Sequence, residues 1–133
     1  MSDTYLNMRN KTQFKPHPNW LEIKTIDMHT DGEPLRVIID GFPELKGNSV
    51  LEYRRYCQQN FDHLRTGLMF EPRGHADMYG CILTPPNDDD GDFGIIFLHN
   101  EGYSTMCGHA IIAISTLAVE MNWIDVKEGD NIL

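Results

Sequence analysis

The stretch Asn100-Glu101-Gly102-Tyr103-Ser104-Thr105-Met106-Cys107-Gly108-His109-Ala110-Ile111-Ile112-Ala113-Ile114-Ser115-Thr116-Leu117-Ala118-Val119-Glu120-Met121 decides the fold. From Cys107 to Met121 it reads as a helix, because Ala110 to Ile114, Leu117 and Ala118 make it apolar nearly all round. Such a helix belongs inside a protein, buried on most sides. The residues before it form a loop with a flexible Gly102 and two candidate N-caps, Ser104 and Thr105. A strand ending near His99 precedes that loop. A buried helix fed by a buried strand predicts an α/β (α+β) domain.

The flanking sequence supplies the sheet. Leu21 and Ile23 alternate with Glu22 and Lys24, and Ile26 continues a strand to Met28 after a phase slip. His29-Thr30-Asp31-Gly32-Glu33-Pro34 is turn chemistry, and Leu35–Ile39 is β-branched, so the two runs predict an antiparallel pair. Met78–Thr84 and Phe93–His99 read as two further strands. Between the pairs, Ser49 and Glu52 form a capping box. Val50, Tyr53, Cys57, Phe61 and Leu64 then recur at helical spacing, which predicts an amphipathic helix lying on the sheet. Residues 1–19 are polar with Pro16 and Pro18 and read as a loosely held leader. Residues 20–133 form the domain, and Ile132-Leu133 reads as the start of another strand.

The acidic loop Asp88-Asp89-Asp90-Gly91-Asp92 invites a calcium reading that fails. With Gly91 at the fixed glycine of an EF-hand, Pro86 and Phe97 fall where the first and last ligands are needed. A net charge of −9 without a basic cluster repels phosphate backbones, so nucleic acid is not an expected partner. No apolar run is long enough for a membrane span. Three widely spaced cysteines, Cys57, Cys81 and Cys107, suit a reducing, cytoplasmic setting better than a disulfide framework.

The chemistry concentrates at Met106-Cys107-Gly108-His109. A cysteine in a first helical turn feels the positive end of the macrodipole, which can bring its pKa from ~8.5 into the ~3.5–7.5 range of reactive thiolates. Gly108 costs ~1 kcal/mol of helix stability relative to alanine but lets a ligand approach the backbone. The amides of Gly108 and His109 are then placed to bind a carboxylate. On spacing alone Cys107 also reads as a small buried hydrophobe, and His109 as a capping or core histidine. A Cys107–His109 hydrolase dyad is not expected, because residues two apart on a helix do not face each other.

Three segments carry a resemblance: Asp27 to Arg36, Met69 to Gly80, and His99 to Ala110. Asp-Met-His-Thr-Asp-Gly-Glu-Pro-Leu-Arg, Met-Phe-Glu-Pro-Arg-Gly-His-Ala-Asp-Met-Tyr-Gly and His-Asn-Glu-Gly-Tyr-Ser-Thr-Met-Cys-Gly-His-Ala resemble the proline racemase family, in particular its trans-3-hydroxy-L-proline dehydratase branch. Asp31 departs from the pattern, standing where the family has a second glycine; a positive φ there would strain the turn. The resemblance implies one lobe of a two-lobed, diaminopimelate-epimerase-like fold, a mixed or antiparallel sheet wrapped around a central buried helix, with substrate held between two helix N-termini. It implies Cys107 as the base on the α-carbon and Gly108 and His109 as substrate-binding residues. No metal, pyridoxal phosphate or nicotinamide is implied, and no other cofactor. The implied reaction is dehydration of trans-3-hydroxy-L-proline to pyrroline-2-carboxylate. Proline racemase, 4-hydroxyproline epimerase, or a non-catalytic binding lobe are the alternatives. The second catalytic residue of the family lies in a lobe that these 133 residues lack, so residues 20–133 read as an N-terminal catalytic lobe. Family members are commonly dimers, which implies a homodimer as the expected assembly.

Overall fold

The computed structural model describes residues 2–125. Five strands form one sheet in the order β1-β2-β3-β4-β5: β1 (Lys24–Thr30), β2 (Glu33–Asp40), β3 (Tyr79–Thr84), β4 (Gly94–His99) and β5 (Gly102–Ser104). Neighbours are antiparallel except β2 and β3, which are parallel. That single parallel join requires a crossover, and helices α2 (Val50–Asn60) and α3 (Asp62–Met69) make it. The expected mixed sheet is therefore present, with each predicted strand found within a few residues of its expected ends. The strand expected at Ile132-Leu133 lies outside the described residues. Residues Asp3–Asn10 of the expected leader fold into helix α1, capped by Ser2, yet none of its residues is buried.

The sheet divides the core in two. On one face Leu35, Val37, Cys81 and Phe97 pack against helix α4 (Gly108–Glu120) through Ala110, Ala113, Ile114 and Leu117. On the other face Ile38, Ile82, Ile96 and Leu98 meet Cys57 of α2 and Met69 of α3. Alternation along β2 to β4 produces this, since successive side chains point to opposite faces and both faces are covered. Helix α4 is buried along Ala110, Ala113, Ile114, Leu117 and Ala118, whereas Gly108, Ile112, Thr116 and Glu120 lie exposed along its opposite side. Among the described residues the burial is thus one-sided rather than on most sides.

The predicted single helix after Ser49 breaks at Phe61, whose φ of −130° and ψ of 19° are not helical. The capping interaction at Ser49 is present, with Glu52 N–H donating to Ser49 Oγ at 3.2 Å. The Glu52 carboxylate reaches one residue further back than a capping box requires, to the amide of Asn48 at 2.6 Å. The β3–β4 loop supplies a cap that sequence spacing does not reveal: Asn87 Oδ1 accepts from Val50 N–H at 2.8 Å. Asp31 takes a φ of 49°, the left-handed value anticipated for that turn, which aspartate tolerates better than most residues.

Two ion pairs lock the ends of the crossover. Asp27 and Arg36 face each other across β1 and β2 with Nε–Oδ1 and Nη2–Oδ2 both at 3.0 Å. Arg36 also donates to the carbonyls of Leu68 and Arg73. Asp62 and Arg65 form the second pair at 2.8 Å. In each case hydrogen bonding from the arginine is the main cause that holds the carboxyl below its ordinary pKa. A carboxyl with a depressed folded pKa adds stability above its unfolded value near 4 and loses it as pH falls through the folded value. The melting temperature is therefore expected to fall steeply below about pH 4. A melting curve unchanged by that acidification would show that these pairs contribute nothing.

Candidate active site

Strand β5 ends at Ser104, and the chain turns through Thr105 and Met106 into the head of α4. Neither Ser104 nor Thr105 is the N-cap. Ser104 Oγ instead accepts from Met106 N–H at 3.3 Å and donates to Met106 C=O at 2.6 Å, closing a local turn. Cys107 occupies the N-cap position with φ −149° and ψ 103°, an extended conformation just outside the helix. This one-residue difference from the expected helix start has chemical consequences.

Because Cys107 is not helical, the rule that residues two apart diverge does not apply to it. Its Sγ lies 3.3 Å from His109 Nδ1 and 3.7 Å from Nε2. The Cys107–His109 pairing dismissed on helical spacing is therefore formed. His109 Nε2 also lies 3.1 Å from the carbonyl of Pro34, which can only accept. That contact assigns the ring proton to Nε2 and leaves Nδ1 as the acceptor nitrogen, while a sulfur within 3.7 Å of both ring nitrogens lies against the imidazole rather than in line with the Nδ1 lone pair. The histidine is held from two further directions: Thr30 Oγ1 donates to the His109 carbonyl at 2.9 Å, and the Tyr79 ring meets the imidazole edge-on at 5.0 Å.

Extended geometry also turns the sulfur inward. Cys107 is only 7% exposed and belongs to the cluster containing Leu35, Val37 and Cys81. Burial pushes its thiol up from the ordinary value, the Ala110 amide opposes that by hydrogen bonding, and the Glu33 carboxylate adds to it. The expected lowering by the helix terminus is overturned, because desolvation penalises the thiolate more than one amide relieves it. Cys57 is raised by burial as well, and Cys81 is pushed up to about 12 for the same reason. What distinguishes Cys107 is its histidine neighbour rather than a free thiolate.

Gly108 is open. A Cβ built there meets nothing within 4 Å, and its φ is not in the left-handed region. Neither packing nor backbone conformation demands glycine here. The amides of Gly108 and His109 have no hydrogen-bond partner among the described residues, as expected for the first positions of a helix. Together they make a small anion seat beside the sulfur.

A cleft of about 620 Å³ adjoins this pair, lined by Glu33, Pro34, His75, Asp77, Tyr79 and His99 among others. Cys107 and His109 do not line it themselves; two of its lining residues, Pro34 and Tyr79, touch His109. In the cleft wall, His75 Nδ1 accepts from Asp77 N–H and His99 Nδ1 from Glu101 N–H, so both rings carry their proton on Nε2. Of the wall and support residues, Thr30, Pro34, Tyr79, His75 and His99 carry no site signal in spacing or composition. They do fall within the three segments that bear the family resemblance. No group of three or more His, Cys, Asp or Glu able to hold a metal occurs among the described residues. No helix among them is long and apolar enough to cross a membrane.

Comparison with known proteins adds the wider context. Residues 25–133 match the family model described as proline racemase. A trans-3-hydroxy-L-proline dehydratase of Colwellia psychrerythraea is 59% identical over 112 residues, which is 84% of this chain and 31% of that protein. A trans-L-3-hydroxyproline dehydratase of Xenopus tropicalis is 48% identical over 117 residues, 88% of this chain and 33% of its own length. The chain thus spans about a third of these curated relatives. Among solved structures, a hydroxyproline epimerase of Agrobacterium vitis with bound trans-4-OH-L-proline superposes with a TM-score of 0.72 at 26% identity, covering 82% of this chain and 32% of that one. A probable proline racemase of Agrobacterium radiobacter K84 with bound carbonate gives 0.73 at 29% identity, covering 83% and 33%. The one-lobe architecture, the Met-Cys-Gly-His helix head and the match over residues 25–133 agree: the chain belongs to the proline racemase family.

Proposed function

We propose that residues 20–133 form the proton-removing lobe of a trans-3-hydroxy-L-proline dehydratase, a cofactor-independent hydro-lyase with Cys107 as the base. The observation that carries this reading is the Cys107 Sγ–His109 Nδ1 contact of 3.3 Å beside the open amides at Gly108. The substrate carboxylate sits on those amides, which places the α-carbon against the sulfur. His109 takes the thiol proton at Nδ1, which makes a thiolate that the site does not hold at rest. The thiolate then removes the α-proton. Its electron pair becomes the Cα–C3 double bond as the C3–O bond breaks. The departing hydroxide takes up the proton that His109 received, which restores neutral histidine and thiol. No outside acid or oxidant is required. The enamine product tautomerises to the cyclic imine.

Relatives carrying the dehydratase name at 48% and 59% identity favour this reaction over racemisation, since the epimerase neighbour is only 26% identical. The bound trans-4-OH-L-proline of that neighbour supports a hydroxylated imino acid as the substrate class. Three free cysteines are consistent with the cytoplasm, and a homodimer remains our expectation from the family.

A substitution at Gly108 separates binding from stability. Gly108→Ala is expected to raise the unfolding free energy by up to about 1 kcal/mol, since alanine is the better helix former and fits the space. The same methyl stands where the carboxylate must sit. Binding of trans-3-hydroxy-L-proline, followed by NMR titration, is therefore expected to weaken about tenfold, the loss of roughly one charge-assisted hydrogen bond. A variant that is both more stable and equally able to bind would remove the anion seat from the mechanism.

A further inference from the structure

On the face of the sheet opposite α4, four side chains form a closed circuit around the strand that delivers Cys107. Tyr103, the middle residue of β5, packs with the α2–α3 side of the core. Its hydroxyl donates to Asp62 Oδ1 at 3.0 Å. With that proton committed, Cys57 is the donor in the 3.5 Å contact between its sulfur and the Tyr103 oxygen. Arg65 grips Asp62 through Nε–Oδ1 at 2.8 Å and Nη2–Oδ2 at 3.0 Å. Its remaining nitrogen, Nη1, donates to the carbonyls of His99 at 2.8 Å and Asn100 at 2.9 Å.

Those two carbonyls belong to the turn from which β5 starts. The circuit therefore holds the turn that starts β5 by its carbonyls and the middle of β5 by the Tyr103 hydroxyl. β5 needs such anchoring. It has three residues and, among the described residues, pairs only with β4, through Phe97↔Ser104, Leu98↔Tyr103 and His99↔Gly102. So short an edge strand is weakly registered by its own ladder. Beyond it, the Ser104 turn onto Met106 transmits the position of β5 directly to Cys107. His109, by contrast, is anchored from β1 and β2 through Thr30 and Pro34. The sulfur and the imidazole are thus held from different parts of the sheet, and their separation depends on where β5 stands.

We propose that Tyr103, Asp62 and Arg65 are positioning residues that set the Cys107–His109 contact from the far side of the sheet. Arg65 is 7% exposed, and because its Nη1 donors are satisfied by the two turn carbonyls, the ion pair and the turn are held as one unit. An arginine fork serves here because its planar donors satisfy the carboxylate and the carbonyls at once, which a lysine cannot do. The inference rests on Cys107 being the reactive thiol, and its test reads that thiol without requiring turnover.

In the full 133-residue chain, iodoacetamide modification of Cys107 is followed by peptide mass spectrometry, with Cys57 and Cys81 as internal references. His109→Gln is expected to slow Cys107 labelling at neutral pH by at least about tenfold, a floor set below the roughly 10²–10⁴-fold of a positioned general base. Tyr103→Phe, which removes one hydroxyl and keeps the ring, slows it to a similar extent. Arg65→Lys does the same. The double variant Tyr103→Phe/His109→Gln labels no more slowly than His109→Gln alone, because both changes break one coupled contact. Labelling unaltered in Tyr103→Phe and Arg65→Lys, whatever their melting temperatures, would overturn the positioning role, as would additive losses in the double variant. Wild-type labelling that is indifferent to His109→Gln would overturn the Cys107–His109 reading itself, and the positioning role with it.

Discussion

Cys107→Ser is expected to lower imine formation from trans-3-hydroxy-L-proline by at least about 10³-fold, the scale on which a positioned base and its acid function contribute. The sample is a chimaera in which this chain replaces the matching third of the Colwellia psychrerythraea relative, and the imine is detected with o-aminobenzaldehyde. Serine preserves the size and the N-cap position, and its hydroxyl can still donate to His109 Nδ1. It fails because an alkoxide is inaccessible at neutral pH, whereas a thiolate can form once His109 accepts its proton. His109→Gln should cost less, since it removes the proton acceptor and leaves the sulfur. A serine variant within about tenfold of the parent would exclude Cys107 as the base. Conversion of L-proline to D-proline without imine would move the assignment to racemisation.

A large loss of stability is expected from substitution at Gly74. Its N–H donates to Phe70 C=O at 2.8 Å, which folds the loop after α3 back on itself. A Cβ at this position would collide with the main-chain carbonyl of Met69, which cannot rotate away as a side chain would. The same carbonyl accepts from Asn100 Nδ2 at 3.1 Å, and that amide also holds His75 C=O. Gly74→Ala must therefore displace the loop, the Asn100 bridge and the β4–β5 turn together. Strain and one broken buried hydrogen bond predict a loss of about 3 kcal/mol, or roughly 10–15 °C in melting temperature for a domain of this size. Gly67 in α3 provides the opposite sign. Nothing lies within 4 Å of a Cβ there, so Gly67→Ala should stabilise by up to about 1 kcal/mol. Thermal melts of the two variants side by side test the contrast, and equal destabilisation by both would show that loop geometry is not the cause.

Much of the scaffold was legible because its signals are local. The β-branched run Leu35–Ile39, the Ser49 cap and the apolar run of α4 each depend on neighbours a few residues away, and the structure contains the corresponding elements. The break at Phe61 was not legible, since the apolar stripe continues through it. Beyond the break, α3 places Arg65 under the β4–β5 turn, a contact with residues 34 and 35 positions away that no local pattern reveals. The cap that Asn87 lends to Val50 was hidden for a similar reason: its partner lies 37 residues away.

The candidate site divides along the same line. The sequence by itself determined that a cysteine, a glycine and a histidine stand at the head of an apolar helix, and its motifs pointed to the family. Only the tertiary structure decided the state of that cysteine. Whether Cys107 is the first helical residue or the N-cap is a difference of one position, too small for spacing rules to resolve. Yet it turns the sulfur from the helix mouth into the core, raises the thiol by desolvation, and brings it to the imidazole that helical spacing would keep away. The proton on His109 is likewise set by Pro34, a residue 75 positions earlier in the chain. Burial and hydrogen-bond partners arise from which distant segments pack together, and those fix the protonation states on which the chemistry depends.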